Sequence, residues 1–188
     1  MKVLVVGAGG IGSHFLNFLR QAIKKDYNGL LEVDVKVADY DIIEEKNMPY
    51  TIYGLEDIGK KKTDVIKEKL YFDTIDEEIT QVGQLRDFDF IILCVDNNEV
   101  RKIVLESGKP FLDMRAKGRG VSVFLQADGI NEFEKTIERD IKEGCQYQED
   151  LDSKDVQFGN VISASIGLQY FLNYLRYDTK TAKHIQYY

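Results

Sequence analysis

The sequence predicts an α/β fold: a Rossmann-like, mainly parallel sheet with helices on both faces, whose C-terminal strands turn antiparallel. Three observations predict it. Short apolar runs suited to buried strands alternate with amphipathic stretches through the first two-thirds of the chain. A glycine-rich turn separates the first run from the first amphipathic stretch. Polar residues gather at the ends of three runs, at Gly7 to Gly12, Asp39 to Asp41 and Asp96-Asn97. Ligands of such sheets bind at the carboxyl ends of the strands.

The elements follow in order. Lys2 to Val6 is an apolar run ending in glycines, which reads as a buried strand. Ile11, Phe15, Phe18, Leu19, Ala22 and Ile23 then fall on one helix face, and Asn28-Gly29 ends that helix. Val33, Val35 and Val37 alternate with polar residues and give a second strand. A polar stretch from Ile42 to Gly59 precedes a helix over Lys60 to Tyr71. Phe90 to Val95 is continuously apolar, the mark of a central parallel strand, and Glu99 to Ser107 reads as the next helix. Phe111-Leu112 and Val121 to Leu125 give two more strands. Ile130, Phe133, Ile137 and Ile141 mark an exposed amphipathic helix. Gly144 to Gln157 reads as polar loop, and Asn160 to Tyr177 as a mostly apolar last helix. The tail from Thr179 to Tyr188 fits docking on a partner or back on the domain.

Composition bounds the function. The chain has 188 residues, 44% apolar and 11% aromatic, enough for one core, and a single domain over residues 1–188 is expected. Its 32 acids outnumber 25 bases, for a formal charge of −7. No nucleic-acid partner is expected, because a sequence-independent grip on phosphates needs a basic surface. The two cysteines, Cys94 and Cys145, are too few for a disulfide scaffold or a Cys-paired zinc site. No apolar run approaches the roughly 20 residues that span a bilayer. Met1 leads straight into a strand, so no signal peptide is expected, and the location expected is cytoplasmic.

Gly7-Ala8-Gly9-Gly10-Ile11-Gly12 fits G-x-G-x-x-G between a strand and a helix. Glycines let the backbone approach a phosphate, and the helix N-terminus offers free N–H groups and the positive end of its dipole. The competing reading is a tight structural turn. Asp39, ending the second strand, is placed to accept hydrogen bonds from ribose hydroxyls. Asp41 is either part of that site or an ordinary loop acid. To this point an NAD enzyme fits equally well.

Later segments add detail. Asp39-Tyr40-Asp41 leads to Asn47-Met48, then to Gly59-Lys60-Lys61-Lys62, then to the strand ending in Asp96-Asn97 with Arg101 after it. With the Gly9 to Ser13 loop, this series resembles the E1-like (ThiF-type) activating enzymes, adenylating proteins of the sulfur-carrier, molybdopterin-synthase and ubiquitin-activating type. The resemblance runs in order from Lys2 to about Phe124 and resumes from Asn160 to Leu175. It implies that Gly9, Gly10 and Gly12 lie under the phosphates of ATP, with Gly7 part of the same cofactor-binding loop. Asp39 would bind the ribose, with Asp41 a further cofactor-binding candidate, and Asn47 and Lys62 would reach the triphosphate. Asp96, with Asn97 beside it, would hold Mg²⁺. The implied reaction is attack of a carboxylate on the α-phosphate, giving an acyl-adenylate, catalysed by positioning and charge neutralisation. The implied partner is a small ubiquitin-like or sulfur-carrier protein, and a homodimer or heterodimer is implied as well.

The chain departs from that family in three ways. Tyr50 stands where the family has an arginine, and a tyrosine donates one hydrogen bond but does not neutralise charge. Arg101, Arg115 and Arg119 are the candidate substitutes. The family's extra N-terminal helix, with its own arginine, is not expected here. The Cys-x-x-Cys pairs are missing, so no zinc is expected, and the region from Gln126 to Gln157 is remodelled. These departures keep a non-catalytic nucleotide-binding or scaffold role open beside adenylation. An NAD(P)-dependent oxidoreductase is the third reading, although it leaves Lys62 and Asp96 unused.

Cys145 lies in a polar stretch before the last helix, where the resemblance places a thioester-forming cysteine. The alternative is a loop cysteine without a role, since Glu143, Glu149 and Asp150 would raise the thiol pKa rather than lower it. Cys94 sits inside the central apolar strand and is expected in the core. His14, on the first turn after the glycine loop, either contacts phosphate or simply faces the loop.

Overall fold

A computed structural model of the chain describes residues 1–26, 29, 31–125, 130–137, 152, 156–177 and 185–187. Its centre is a seven-stranded sheet. The strands are β1 (Lys2–Val6), β2 (Asp34–Ala38), β3 (Asp73–Ile75), β4 (Phe90–Leu93), β5 (Phe111–Lys117), β6 (Gly120–Leu125) and β7 (Ile185–Tyr187). Their order across the sheet is β3-β2-β1-β4-β5-β6-β7. The first five run parallel, and β6 and β7 are antiparallel to their neighbours. This is the predicted architecture.

The helices are α1 (Gly10–Lys24), α2 (Lys62–Leu70), α3 (Asn98–Glu106), α4 (Ile130–Ile137) and α5 (Gly159–Tyr177). Successive strand residues point to opposite faces, so each central strand feeds two cores. Val3, Val5, Val37, Phe90 and Ile92 pack with Phe15, Leu19, Ile66 and Phe171 from α1, α2 and α5. Leu4, Val6, Ile91 and Leu93 pack on the other face with Val100, Val104, Phe133 and Ile137 from α3 and α4. Strands buried on both faces read as unbroken apolar runs, which is why β1 and β4 were legible. Cys94 is in the first of these cores, as expected.

Several expectations change in detail. α4 is not an exposed helix on its apolar side: Phe133 and Ile137 are buried, and the Phe133 ring lies 4.7 Å from that of Phe111. Ile141 lies outside the described residues. β5 is seven residues long rather than two, because its second half pairs with β6 through a hairpin turning at Gly118, whose φ is 56°. Two short strands were not anticipated. β3 is three residues long and pairs with β2, and β7 pairs with β6, which brings residues 185–187 back onto the domain.

Candidate functional site

β1, β2 and β4 lie side by side, with the connection from β1 leading to β2 on one flank and β4 on the other. Strand order reverses there, and a cleft opens at the carboxyl ends of these strands. The cleft has a volume of about 300 Å³ and is lined by Gly7, Gly9, Gly10, Asp39, Asp41, Asn47, Lys62, Asp96 and Asn97, among others. The structure therefore brings together every predicted site residue except Gly12, which lies behind the loop, and Cys145, which lies outside the described residues.

The glycines serve different ends. Gly7 has φ of 94°, which disfavours any side chain, and a Cβ there would stand 2.6 Å from the carbonyl oxygen of Cys94. A Cβ on Gly12 would lie 1.9 Å from the carbonyl oxygen of Gly7, so this glycine lets α1 pass close to the strand end. A Cβ on Gly9 would meet nothing within 4 Å. Its missing side chain instead keeps the cleft open at the start of α1. That helix has no side-chain cap at Gly9, so its first N–H groups are available to an anion.

Asp39 is buried and organises the loop. Its Oδ2 accepts from the Ala8 N–H at 2.6 Å, and its Oδ1 accepts from the Asp41 N–H at 2.9 Å. Burial raises its pKa, opposed by the Lys62 ammonium and by those two N–H groups. Lys62, at the start of α2, is also buried. Its Nζ lies 2.6 Å from Asp41 Oδ2 and 3.8 Å from Asp39 Oδ1. Its backbone N–H donates to the Asp41 carbonyl at 3.0 Å, which fixes the lysine against the end of β2. Lys60 and Lys61 face outward and pair with Asp57 and Asp76.

Asn47 lies on a 3-10 turn, Glu45–Tyr50. Its Oδ1 accepts from the Glu44 N–H at 2.9 Å, and its Nδ2 donates to the Tyr50 hydroxyl at 3.0 Å. Tyr50 is thus held beside the cleft by Asn47. The three candidate substitute arginines do not line the cleft. Arg101 is buried and bonds Asp113 at 3.1 Å, Asn98 at 2.9 Å and the Val95 carbonyl. Arg115 pairs with the same Asp113 and lies over the rings of Phe124 and Phe133. Arg119 donates to Gln157 at 2.9 Å. The cations that do line the cleft, among the described residues, are Lys62 and Lys46.

Asp96 is exposed at the end of the β4 segment. Asn97 caps α3, its Oδ1 accepting from the Glu99 N–H at 2.8 Å. His14 bonds the Tyr50 backbone, and its pKa is lowered by burial despite that bond.

Sequence reasoning missed three contributors. Tyr53 is buried, and its hydroxyl donates to the Ala8 carbonyl at 2.6 Å. Burial, with Asp39 and Asp57 adding to it, pushes its phenol pKa up, so it acts as a neutral donor. Asn160, at the start of α5, donates from Nδ2 to the Gly10 carbonyl at 3.1 Å and to the Tyr50 carbonyl at 2.7 Å. Lys46 had no assigned place, although it adjoins Asn47. A buried asparagine opening an apolar helix was a signal for the second of these; the other two carried none.

A doubly wound, mainly parallel sheet with a glycine loop and an acid–lysine pair at its switch point defines a Rossmann-like class of protein. Within that class the chain belongs to the ThiF family, whose model matches residues 1–125. It is 28% identical over 153 residues to ubiquitin-like modifier-activating enzyme 5 of Dictyostelium discoideum, covering 67% of this chain and 38% of that protein. It is 31% identical over 117 residues to a probable molybdopterin-synthase adenylyltransferase of Porphyra purpurea, covering 56% of this chain and 28% of that protein. The match thus spans well under half of either relative. Among solved structures, E. coli MccB with ATP superposes with a TM-score of 0.70 at 18% identity, over 100% of this chain and 60% of that one. PaaA superposes with a TM-score of 0.65 at 19% identity, over 97% and 57%. These likenesses establish the fold. Among the described residues, no helix is long and apolar enough to cross a membrane.

Proposed function

We propose that the chain adenylates a carboxylate with ATP, the substrate being the C-terminus of a small ubiquitin-like or sulfur-carrier protein. The observation that carries this reading is the convergence of the glycine loop, Lys62 and Asp96 on one cleft at the switch point of a ThiF-family fold. The relatives, an activating enzyme and an adenylyltransferase by name, support the same reaction class.

The open N-terminus of α1 and the bare Gly9 backbone suit a phosphate chain. Asp39 retains free lone pairs for ribose hydroxyls after accepting from Ala8 and Asp41. Lys62 offers a fixed ammonium beside the phosphates. Among the described residues no cluster of three metal-ligating side chains exists. A lone exposed carboxylate at Asp96 nonetheless fits Mg²⁺, which takes most of its ligands from phosphate and water. Bound there, the ion would neutralise charge on the departing pyrophosphate. The protein's part is then to align the carboxylate with the α-phosphate and to hold the polyphosphate still.

ATP–pyrophosphate exchange tests this reading. Exchange that depends on a carrier ending in a free glycine carboxylate is expected, and its loss in Asp96→Ala. No exchange across a broad carrier panel, with ATP bound, would favour the second reading of a non-catalytic nucleotide-binding member. Tyr50, which lacks the charge of the family's arginine, is the observation behind that second reading. The ThiF match favours either over a nicotinamide enzyme, and tighter binding of NAD⁺ or NADP⁺ than of ATP would reverse that. If Cys145→Ala leaves transfer from the adenylate intact, a thioester at Cys145 is ruled out.

A further inference from the structure

We propose that Lys46 is a second polyphosphate-binding cation of the cleft, parked on Glu44 until a nucleoside triphosphate arrives. The proposal rests on the reading of the cleft as an ATP site. It starts from charge. Asp39, Asp41, Glu77, Glu78 and Asp96 line the cleft, against two lysines. A triphosphate entering an acidic cleft needs every cation within reach.

The two lysines differ in freedom. The Lys62 side chain is 9% exposed and locked between Asp39 and Asp41. The Lys46 side chain is 70% exposed, and its ion-pair partner Glu44 is 47% exposed. Such a surface pair is held weakly, because water competes for both ends. The Glu44 carboxylate raises the Lys46 pKa, so the ammonium stays charged.

The backbone beneath Lys46 is fixed while its head is not. Glu44 N–H donates to Asn47 Oδ1, Asn47 N–H donates to the Glu44 carbonyl at 2.9 Å, and Asn160 holds the Tyr50 carbonyl. A rigid turn carrying one loosely paired lysine at the cleft is suited to exchange one anion for another. On binding, the ammonium would leave Glu44 for a phosphate oxygen, and solvent would take over the exposed carboxylate. Neither Tyr50, whose hydroxyl is neutral and engaged by Asn47, nor Arg101, Arg115 and Arg119 can supply that charge from their present positions.

Calorimetric binding of ATP, ADP and AMP with Mg²⁺ tests it, on wild type, Lys46→Ala, Lys46→Arg and Glu44→Gln. Lys46→Ala is expected to weaken ATP and ADP by about tenfold while changing AMP less than about twofold. Lys46→Arg should restore most of the loss, and Glu44→Gln should tighten ATP. An unchanged ATP-to-AMP ratio in Lys46→Ala overturns the proposal, as does an equal loss for all three nucleotides. Wild type that binds ATP but catalyses no exchange removes the adenylation reading and leaves the Lys46 proposal standing. Wild type that binds no ATP removes both.

Discussion

The Tyr53 hydroxyl donates to the carbonyl of Ala8 at 2.6 Å, across 45 residues of chain. Ala8 also donates its N–H to Asp39. Both polar backbone atoms of the loop's second residue are therefore satisfied by buried side chains. The loop needs this, because glycines on either side of Ala8 leave it little intrinsic stiffness. A loop held in place before a ligand arrives costs less ordering entropy on binding.

Tyr53→Phe removes one of these bonds and leaves a buried carbonyl unpaired. The expected cost is about 1–2 kcal/mol, read as a fall in Tm of about 3–6 °C. Tyr53 does not line the cleft. A weakening of ATP binding alongside the fall in Tm would show that loop order matters. Unchanged affinity would show that Asp39 alone suffices.

Asn160 is the corresponding tie from the other side. One amide group joins the carbonyls of Gly10 and Tyr50, 150 and 110 residues away in sequence. Asn160→Ala should destabilise by about 1–3 kcal/mol, since two carbonyls lose their donor in a buried place. Asn160→Asp, which cannot donate, should behave as badly. If only stability falls, and the ATP-to-AMP affinity ratio stays the same, Asn160 is a packing residue. A changed ratio places it in control of the Tyr50 turn.

The strands and the loop were readable because their signals are local. Buried parallel strands are unbroken apolar runs, and the glycine loop needs glycine at fixed positions for backbone reasons. Asp39 and Asp96 stood out at strand ends, and Lys62 through the resemblance to the E1-like family. β3 escaped because three residues make no pattern, and Asp73–Ile75 alternates too briefly to register. Tyr53 and Asn160 escaped because their value lies in contacts across 45 to 150 residues. Arg101 and Arg115 looked available for phosphate until the fold put Asp113, fully buried, between them.

Asp96→Asn separates function from stability. The carboxylate is exposed, so the folded protein should lose no more than about 0.5 kcal/mol. The charge that would hold Mg²⁺ is gone, however. ATP affinity in Mg²⁺ should fall toward its value in EDTA, and exchange should stop. The check is a paired titration with and without Mg²⁺. An undiminished Mg²⁺ effect in Asp96→Asn would move the metal to another residue.

His14 predicts the pH dependence of stability. Burial lowers its pKa below the ordinary 6.5, outweighing the bond to the Tyr50 backbone that raises it. Below 6.5 the unfolded chain takes up a proton that the folded chain resists. Stability from this group is therefore fully present above 6.5 and lost as the pH falls through the window between 6.5 and the lower folded value. Tm should drop as the pH falls below about 6.5 in wild type. In His14→Gln, which keeps a donor but cannot charge, that part of the slope should vanish. Asp39 acts with the opposite sign: its raised pKa means the folded chain holds the proton longer as pH rises, so stability falls as the pH climbs through the acid range above 3.8. The two groups are distinguishable because His14→Gln flattens the curve near neutrality and leaves the acid limb in place. A neutral-pH slope that survives His14→Gln would assign it elsewhere.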